Sequence, residues 1–131
     1  MKAHQDLEEY QTLEKLSQEI RAILDDEQVC LNKIKEALVL YPDAPQPQNL
    51  LGILAETKED KVLAMKHYRA AWALAPYYRP SRENIDRLVD MHYYKHYYFC
   101  DQDVDEKDRQ KETIKFNMLR RKLGWWNFIR S

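Results

Sequence analysis

The chain has 131 residues, of which 44% are hydrophobic and 33% charged, with two glycines and five prolines. That is the size of one domain with a modest core under a heavily solvated surface. Two glycines leave little turn material for a β protein, and no run alternates Val, Ile and Thr as strands do. No apolar run approaches the roughly 18 residues of a membrane span, and Met1 to Tyr10 lacks the apolar stretch of a signal peptide. A cytoplasmic protein is expected.

The net charge of −1 is unevenly placed. Residues 1–60 carry 6 Lys/Arg and 13 Asp/Glu, a net of −7, and residues 61–131 carry 15 and 9, a net of +6. Such asymmetry bears on association rather than fold. The two halves can attract head to tail within or between molecules, so self-association is one expectation. Cys30 and Cys100 lie 70 apart without a Cys-x-x-Cys pair. In a reducing compartment they are expected as free buried thiols.

Taken in order, Leu7, Tyr10, Leu13, Leu16, Ile20 and Ile23 or Leu24 form one helical stripe, which predicts a helix over 7–24. Asp25-Asp26-Glu27 breaks it and offers an N-cap to the next. Cys30, Ile34, Ala37, Leu38 and Tyr41 form a second stripe, closed by Pro42. Ala44 to Gln48 reads as a proline-stiffened link whose prolines can start the following helix. A helix from Asn49 and a second ending at Pro76 follow, separated by a charged turn. Gly52 lies inside the first of these, where glycine costs about 1 kcal/mol against alanine; close approach of another helix is the expected reason. Ala64, Tyr68 and Ala71, spaced i, i+4, i+7, supply the facing surface.

An internal period reinforces this. Cys30 and Ala64, Ile34 and Tyr68, Ala37 and Ala71, and Pro42 and Pro76 are each 34 residues apart. Leu16-Ser17 stands where the later copy has Leu51-Gly52, with one extra residue in the turn. Leu51-Gly52, Ala64, Tyr68, Ala71 and Pro76 resemble the signature of the tetratricopeptide repeat (TPR), whose period is about 34 residues. The aromatic residue that signature has shortly before the glycine is missing, with Gln48 in its place. The resemblance implies an all-α, TPR-like right-handed stack of helical hairpins, about two and a half repeats long. It divides a single domain over 1–131 into a degenerate repeat at 7–44, a repeat at 45–78, a partial repeat or capping helix at 79–100, and a C-terminal helix with an aromatic tail at 101–131.

After Pro80, Ser81 is a candidate N-cap. Ile85, Leu88, Val89 and His92 continue a stripe, and Met91 to Cys100 contains no turn signal. One long helix over 81–100, covering the open end of the stack, is therefore expected; terminal repeats are commonly atypical. Asp101 to Asp108 reads as a charged connector. A last helix is expected over 107–123, stopped by Gly124 as a C′ residue.

The resemblance also implies a site. The first helix of each repeat lines a concave face, which places Glu14, Gln18 and Arg21, then Gln46, Asn49, Ile53 and Glu56, then Glu83, Arg87 and Asp90 in a peptide-binding groove. The family's carboxylate clamp for chaperone tails needs a Lys/Asn constellation; only Asn49 fits it, and Ile53 replaces the second Asn. His92, His96 and Cys100 are spaced i, i+4, i+8 and could share one helical face as metal ligands, although amphipathic rings filling a capping helix explain them better. Asp101, Asp103, Asp105 and Glu112 match acidic positions of a calcium loop, but Glu106 stands where such a loop needs glycine. Neither pattern supports a cofactor. Tyr93, Tyr94, Tyr97 and Tyr98 divide between core and surface.

The C-terminal stretch is basic and aromatic. Lys115, Arg120, Arg121, Lys122 and Arg130 follow Glu112 with no further acid, interleaved with Phe116, Trp125, Trp126 and Phe128. Residues Arg120, Arg121, Trp125, Trp126 and Phe128 are candidates for docking on a membrane surface or a larger complex. The competing expectation is that the aromatic residues fold back and cover the last helix. Nucleic acid is not expected, because the basic run is short and has no reader motif. No phosphate loop, nucleophile elbow or paired Cys/His constellation appears, so no enzyme is expected. The sequence points to a protein-interaction adaptor that binds a protein or peptide partner in the groove, with the C-terminal segment as the alternative docking element.

Overall fold

The computed structural model describes residues 5–130, with side chains over 5–124. The described chain is all-α, with six helices: α1 (Leu7–Ala22), α2 (Glu27–Leu40), α3 (Pro45–Thr57), α4 (Lys61–Leu74), α5 (Arg79–Val89) and α6 (Asp101–Arg130). Among the described residues none of these helices is long and apolar enough to cross a membrane.

The helix starts follow two chemistries. Asp6, Asp26 and Asp60 cap α1, α2 and α4, their carboxylates accepting from the backbone N–H of Glu9, Val29 and Leu63. Each satisfies a donor that the helix geometry leaves without a partner. Helices α3 and α5 instead carry proline in the first turn, where its missing N–H costs nothing. The prolines of 44–48 thus lie in the first turn of α3, which begins at Pro45 rather than after a link. Ser81 is not a cap either: α5 starts at Arg79, and the Ser81 hydroxyl donates to the Tyr78 carbonyl at 3.0 Å.

Helix α3 is the centre of the molecule. It packs against α1, α2, α4 and α5, and from Asn49 to Glu56 only Leu51 is not fully buried. The main core joins Ile20, Cys30, Ile34, Leu50, Ile53, Leu54, Ala64, Tyr68 and Phe99. Positions 34 apart share their burial: Cys30 and Ala64, Ile34 and Tyr68, and Ala37 and Ala71 are all inside. Both cysteines are free and buried. A Cβ added at Gly52 would stand 2.4 Å from Cε1 of Tyr68, so the glycine is there because the Tyr68 ring lies against bare backbone.

Three expectations about the second half are overturned. Residues 90–100 do not continue a helix. Helix α5 ends at Val89, and a non-helical strap over 91–100 turns back across the stack. The charged stretch from Asp101 to Asp108 is no connector but about the first two turns of α6. Gly124 does not stop that helix, which runs to Arg130. A glycine ends a helix by taking a left-handed conformation, and neither described glycine has a positive φ.

Candidate functional site

The face formed by α1, α3 and α5 carries a row of buried polar side chains: Ser17, Gln46, Asn49, Glu56, Ser81, Asn84 and Arg87 are all at most 3% exposed. Buried polar groups need partners. For Asn49, Glu56, Asn84 and Arg87 the strap over 91–100 supplies partners.

Asn84 makes the closest engagement. Its Nδ2 donates to the Tyr98 carbonyl at 2.9 Å, and its Oδ1 accepts from the Tyr98 N–H at 3.0 Å. Asn49 donates to the same carbonyl at 3.0 Å, and Asn84 donates in turn to Asn49 Oδ1 at 2.9 Å. Two amide side chains thus grip one residue of non-helical backbone from two helices. Further along, Arg87 Nη1 donates to the Tyr94 carbonyl at 3.0 Å, and the Tyr78 hydroxyl donates to the Phe99 carbonyl at 3.3 Å. Residues whose backbone has no secondary-structure ladder thereby receive one from side chains.

Beneath the strap lies a buried ion pair. Arg87 donates Nη1 to Glu56 Oε2 at 2.8 Å and Nη2 to Oε1, a forked geometry. The hydroxyls of Tyr68 and Tyr93 donate to the same carboxylate, both at 2.7 Å. Burial pushes the Glu56 carboxyl up, but the bonds from Arg87, Tyr68 and Tyr93 and the Arg87 charge outweigh it and hold it below its ordinary value. The same burial and the Glu56 bond push the Tyr93 phenol up to about 12. The rings of Tyr93 and Tyr97 lie 5.8 and 5.4 Å from the Arg87 guanidinium carbon, so the cation is held between carboxylate and aromatic faces.

The base of α6 is fixed to α1 and α5. The Tyr10 hydroxyl donates to Asp101 Oδ2 at 2.7 Å, and the Asp101 N–H donates to Glu14 Oε2 at 3.2 Å. Arg21 pairs with Asp103, Arg79 with Asp101 and Asp105, and Lys107 with Glu83. Burial, then the neighbouring Asp101 charge, push the Glu14 carboxyl up to about 7; bonds from the Asp101 backbone and Tyr78 oppose this only in part.

The residues assigned to a peptide groove are therefore engaged, and what engages them is mostly this chain. Glu14, Gln18, Arg21, Asn49, Glu56, Glu83 and Arg87 each contact the strap or α6. Gln46 exchanges two hydrogen bonds with Gln5, and Ile53 is wholly inside the core. Asp90 ends α5 and accepts from the His92 N–H. An open groove over these residues is not what the structure holds. Asn84, Tyr78 and Tyr10 were missed. Their signal was polar side chains at buried helical spacing, Asn84 three residues before Arg87.

The metal patterns lose their geometric basis. His92 and His96 lie on the strap rather than a helix, exposed to solvent, while Cys100 is buried. Asp101, Asp103 and Asp105 stand on a helix and are paired to Tyr10, Arg21 and Arg79, so they form no calcium loop. Among the described residues no group of three or more His, Cys, Asp or Glu is arranged to hold a metal.

Beyond its base, α6 stands clear of the stack. Every described residue from 108 to 124 is exposed. That includes Ile114 at 60%, Phe116 at 62%, Met118 at 59%, Leu119 at 58% and Leu123 at 56%. The same stretch carries Arg109, Lys111, Lys115, Arg120, Arg121 and Lys122 against Asp108 and Glu112, a net of +4. Of the docking candidates, Arg120 and Arg121 lie on this exposed part. The side chains of Trp125, Trp126 and Phe128 lie outside the described residues. No protein-family model matches the sequence, and neither a curated protein nor a solved structure matches it.

Proposed function

We propose that the protein is a non-catalytic interaction adaptor: a TPR-like stack of helical hairpins whose own strap closes the concave face, and whose docking element is α6. The observation that carries this reading is the uninterrupted exposure of 108–124. Exposed apolar residues scattered singly are normal, but Phe116, Leu119 and Leu123 recur on one face of the helix, and an apolar row left in water marks an interaction surface. Seventeen helical residues project over roughly 25 Å, long enough to lie in a partner's groove. The stack supplies the rigid mount. Four acid–base or hydroxyl–acid attachments at Asp101, Asp103, Asp105 and Lys107 fix the direction in which α6 leaves it. The reading also places the protein in the cytoplasm, where its buried thiols stay reduced.

A photo-cross-linking residue placed at Phe116 or Leu123, and separately at exposed Tyr94 on the strap, tests this in extract of the producing cells. Adducts with a specific partner are expected from the two α6 positions. Adducts from Tyr94 alone would return the function to the strap side of the stack and remove α6 from it.

A further inference from the structure

The exposed part of α6 has an internal order that its overall charge conceals. Phe116, Leu119 and Leu123 are spaced i, i+3, i+7, the a, d, a positions of a heptad. With that register, Lys115 and Lys122 occupy the g positions and Arg120 the intervening e position. Each flank of the seam is therefore basic. The seam is also narrow: Lys111, Lys115 and Lys122 run along one side of it and separate it from Ile114 and Met118, a turn apart on the next row. A strict a/d stripe is the pattern of helix pairing, whereas a helix lying on a surface or core shows an apolar arc of 100° or more.

Three occupants can be weighed by charge and shape. A second α6 would bring Lys115, Arg120 and Lys122 against their own copies, and like charges at flanking positions disfavour pairing. An anionic bilayer would attract the cations, but a helix lying on it presents a wide apolar arc, and here Lys111, Lys115 and Lys122 divide Phe116, Leu119 and Leu123 from Ile114 and Met118. A helix of another protein, with an apolar seam over this one heptad and carboxylates on both flanks, fits best: its seam covers Phe116, Leu119 and Leu123, its carboxylates pair with Lys115, Arg120 and Lys122, and the pairing stops short of Glu112.

We infer that α6 pairs with an acidic amphipathic helix of a partner protein, in coiled-coil fashion, through Phe116, Leu119 and Leu123 flanked by Lys115, Arg120 and Lys122. This rests on α6 being the docking element. It adds the chemistry of what docks there.

The test uses the full chain and synthetic probes. One is a helical peptide with leucine at a and d and glutamate at e and g; a second has the same composition in scrambled order; a third has lysine in place of glutamate. Anionic phosphatidylserine vesicles are the fourth. Binding is followed by titration calorimetry. Saturable binding of the acidic peptide alone is expected, at least tenfold weaker for Leu119→Asp. For Lys115→Glu with Lys122→Glu the preference should reverse toward the lysine peptide. Equal binding of the scrambled peptide would reduce the site to bulk charge and overturn the pairing. Binding of vesicles but not of the peptide would assign α6 to membranes, and salt-sensitive dimers in sedimentation would assign it to a second copy; either overturns the inference. So does silence toward all probes. If the α6 cross-links form while the acidic peptide is ignored, only the acidic-helix assignment fails and the docking role of α6 survives.

Discussion

Asn84 holds both backbone polar groups of Tyr98, its Nδ2 on the carbonyl and its Oδ1 on the N–H, at 2.9 and 3.0 Å. The same side chain also supports Asn49 and Arg87. Removing it leaves several buried groups without partners, and each such group costs about 1–3 kcal/mol. Asn84→Ala is expected to destabilise the protein by about 2–4 kcal/mol, more than Asn49→Ala, which loses a single donor to the strap. Urea unfolding gives the stabilities, and limited proteolysis should show new cleavage between Tyr94 and Tyr98. An Asn84→Ala protein that resists both would mean the strap is held by packing alone.

Glu56 and Arg87 form the pair beneath the strap, at 0% and 1% side-chain exposure. Deleting one partner strands a buried charge, at a cost of about 3–5 kcal/mol. Glu56→Gln and Arg87→Met should each show a loss of that order. The double variant should lose clearly less than their sum, because neither charge then remains. Additive losses in calorimetric melts would show that the two side chains stabilise independently.

The two glycines should respond in opposite directions to the same change. At Gly52 a Cβ meets the Tyr68 ring at 2.4 Å, and that ring is tethered by its hydroxyl to Glu56. Overpacking costs about 1–3 kcal/mol, and helix propensity returns roughly 1; Gly52→Ala should be net destabilising. At Gly124 nothing lies within 4 Å. Gly124→Ala should stabilise α6 by about 0.5–1 kcal/mol, read as increased helicity by circular dichroism.

Glu14 sets a pH dependence near neutrality. Its folded pKa lies near 7, above the ordinary 4.5, so the folded state binds the proton more tightly than the unfolded state. The associated stability is complete below about pH 4.5 and is lost as pH rises through 7. Screening by solvent limits the loss to about 1–2 kcal/mol. Glu14→Gln should flatten the stability profile between pH 5 and 8 and gain most at pH 8. Glu56 acts in the other direction: its carboxyl lies below the ordinary value, and its contribution disappears as pH falls through that lowered pKa. An unchanged slope in Glu14→Gln between pH 5 and 8 would assign the dependence to another group.

The exposed seam of α6 should be separable from folding. Leu119 is 58% exposed, so Leu119→Asp is expected to change stability by no more than about 0.5 kcal/mol. A large loss in a melting experiment would show that α6 packs onto the stack in solution.

The first four helices were legible because their determinants are local. Stripes of apolar residues, aspartate caps, prolines and the Gly52–Tyr68 approach all lie within a turn or a hairpin. The strap was not. Met91 to Cys100 contains no glycine or proline, and its tyrosines and phenylalanine were read as helix only for want of a breaker. Those residue types favour extended backbone as readily as helix. Asn49, Asn84 and Arg87 hold the non-helical form, and Asn49 is 49 residues away from Tyr98 in sequence. The groove residues were found by position, yet their polarity is explained by an occupant in the same chain. Gly124 failed as a stop signal because nothing there requires a left-handed turn.

The strap has a consequence for the order of events at the ribosome. Asn49 and Glu56 leave the exit tunnel before Tyr93 and Tyr98, which complete their bonding. At synthesis rates of about 5–20 residues per second, that interval lasts roughly 2–10 s. Only in roughly the last 0.5–2 s of it, once Val89 is out, can the helices up to α5 assemble, with a row of polar groups bonded to water on one face and Phe99 missing from the core. Newly made chains therefore pass through a stage in which this face is open to an incoming segment, and the arrival of the strap, ahead of α6, is what ends it.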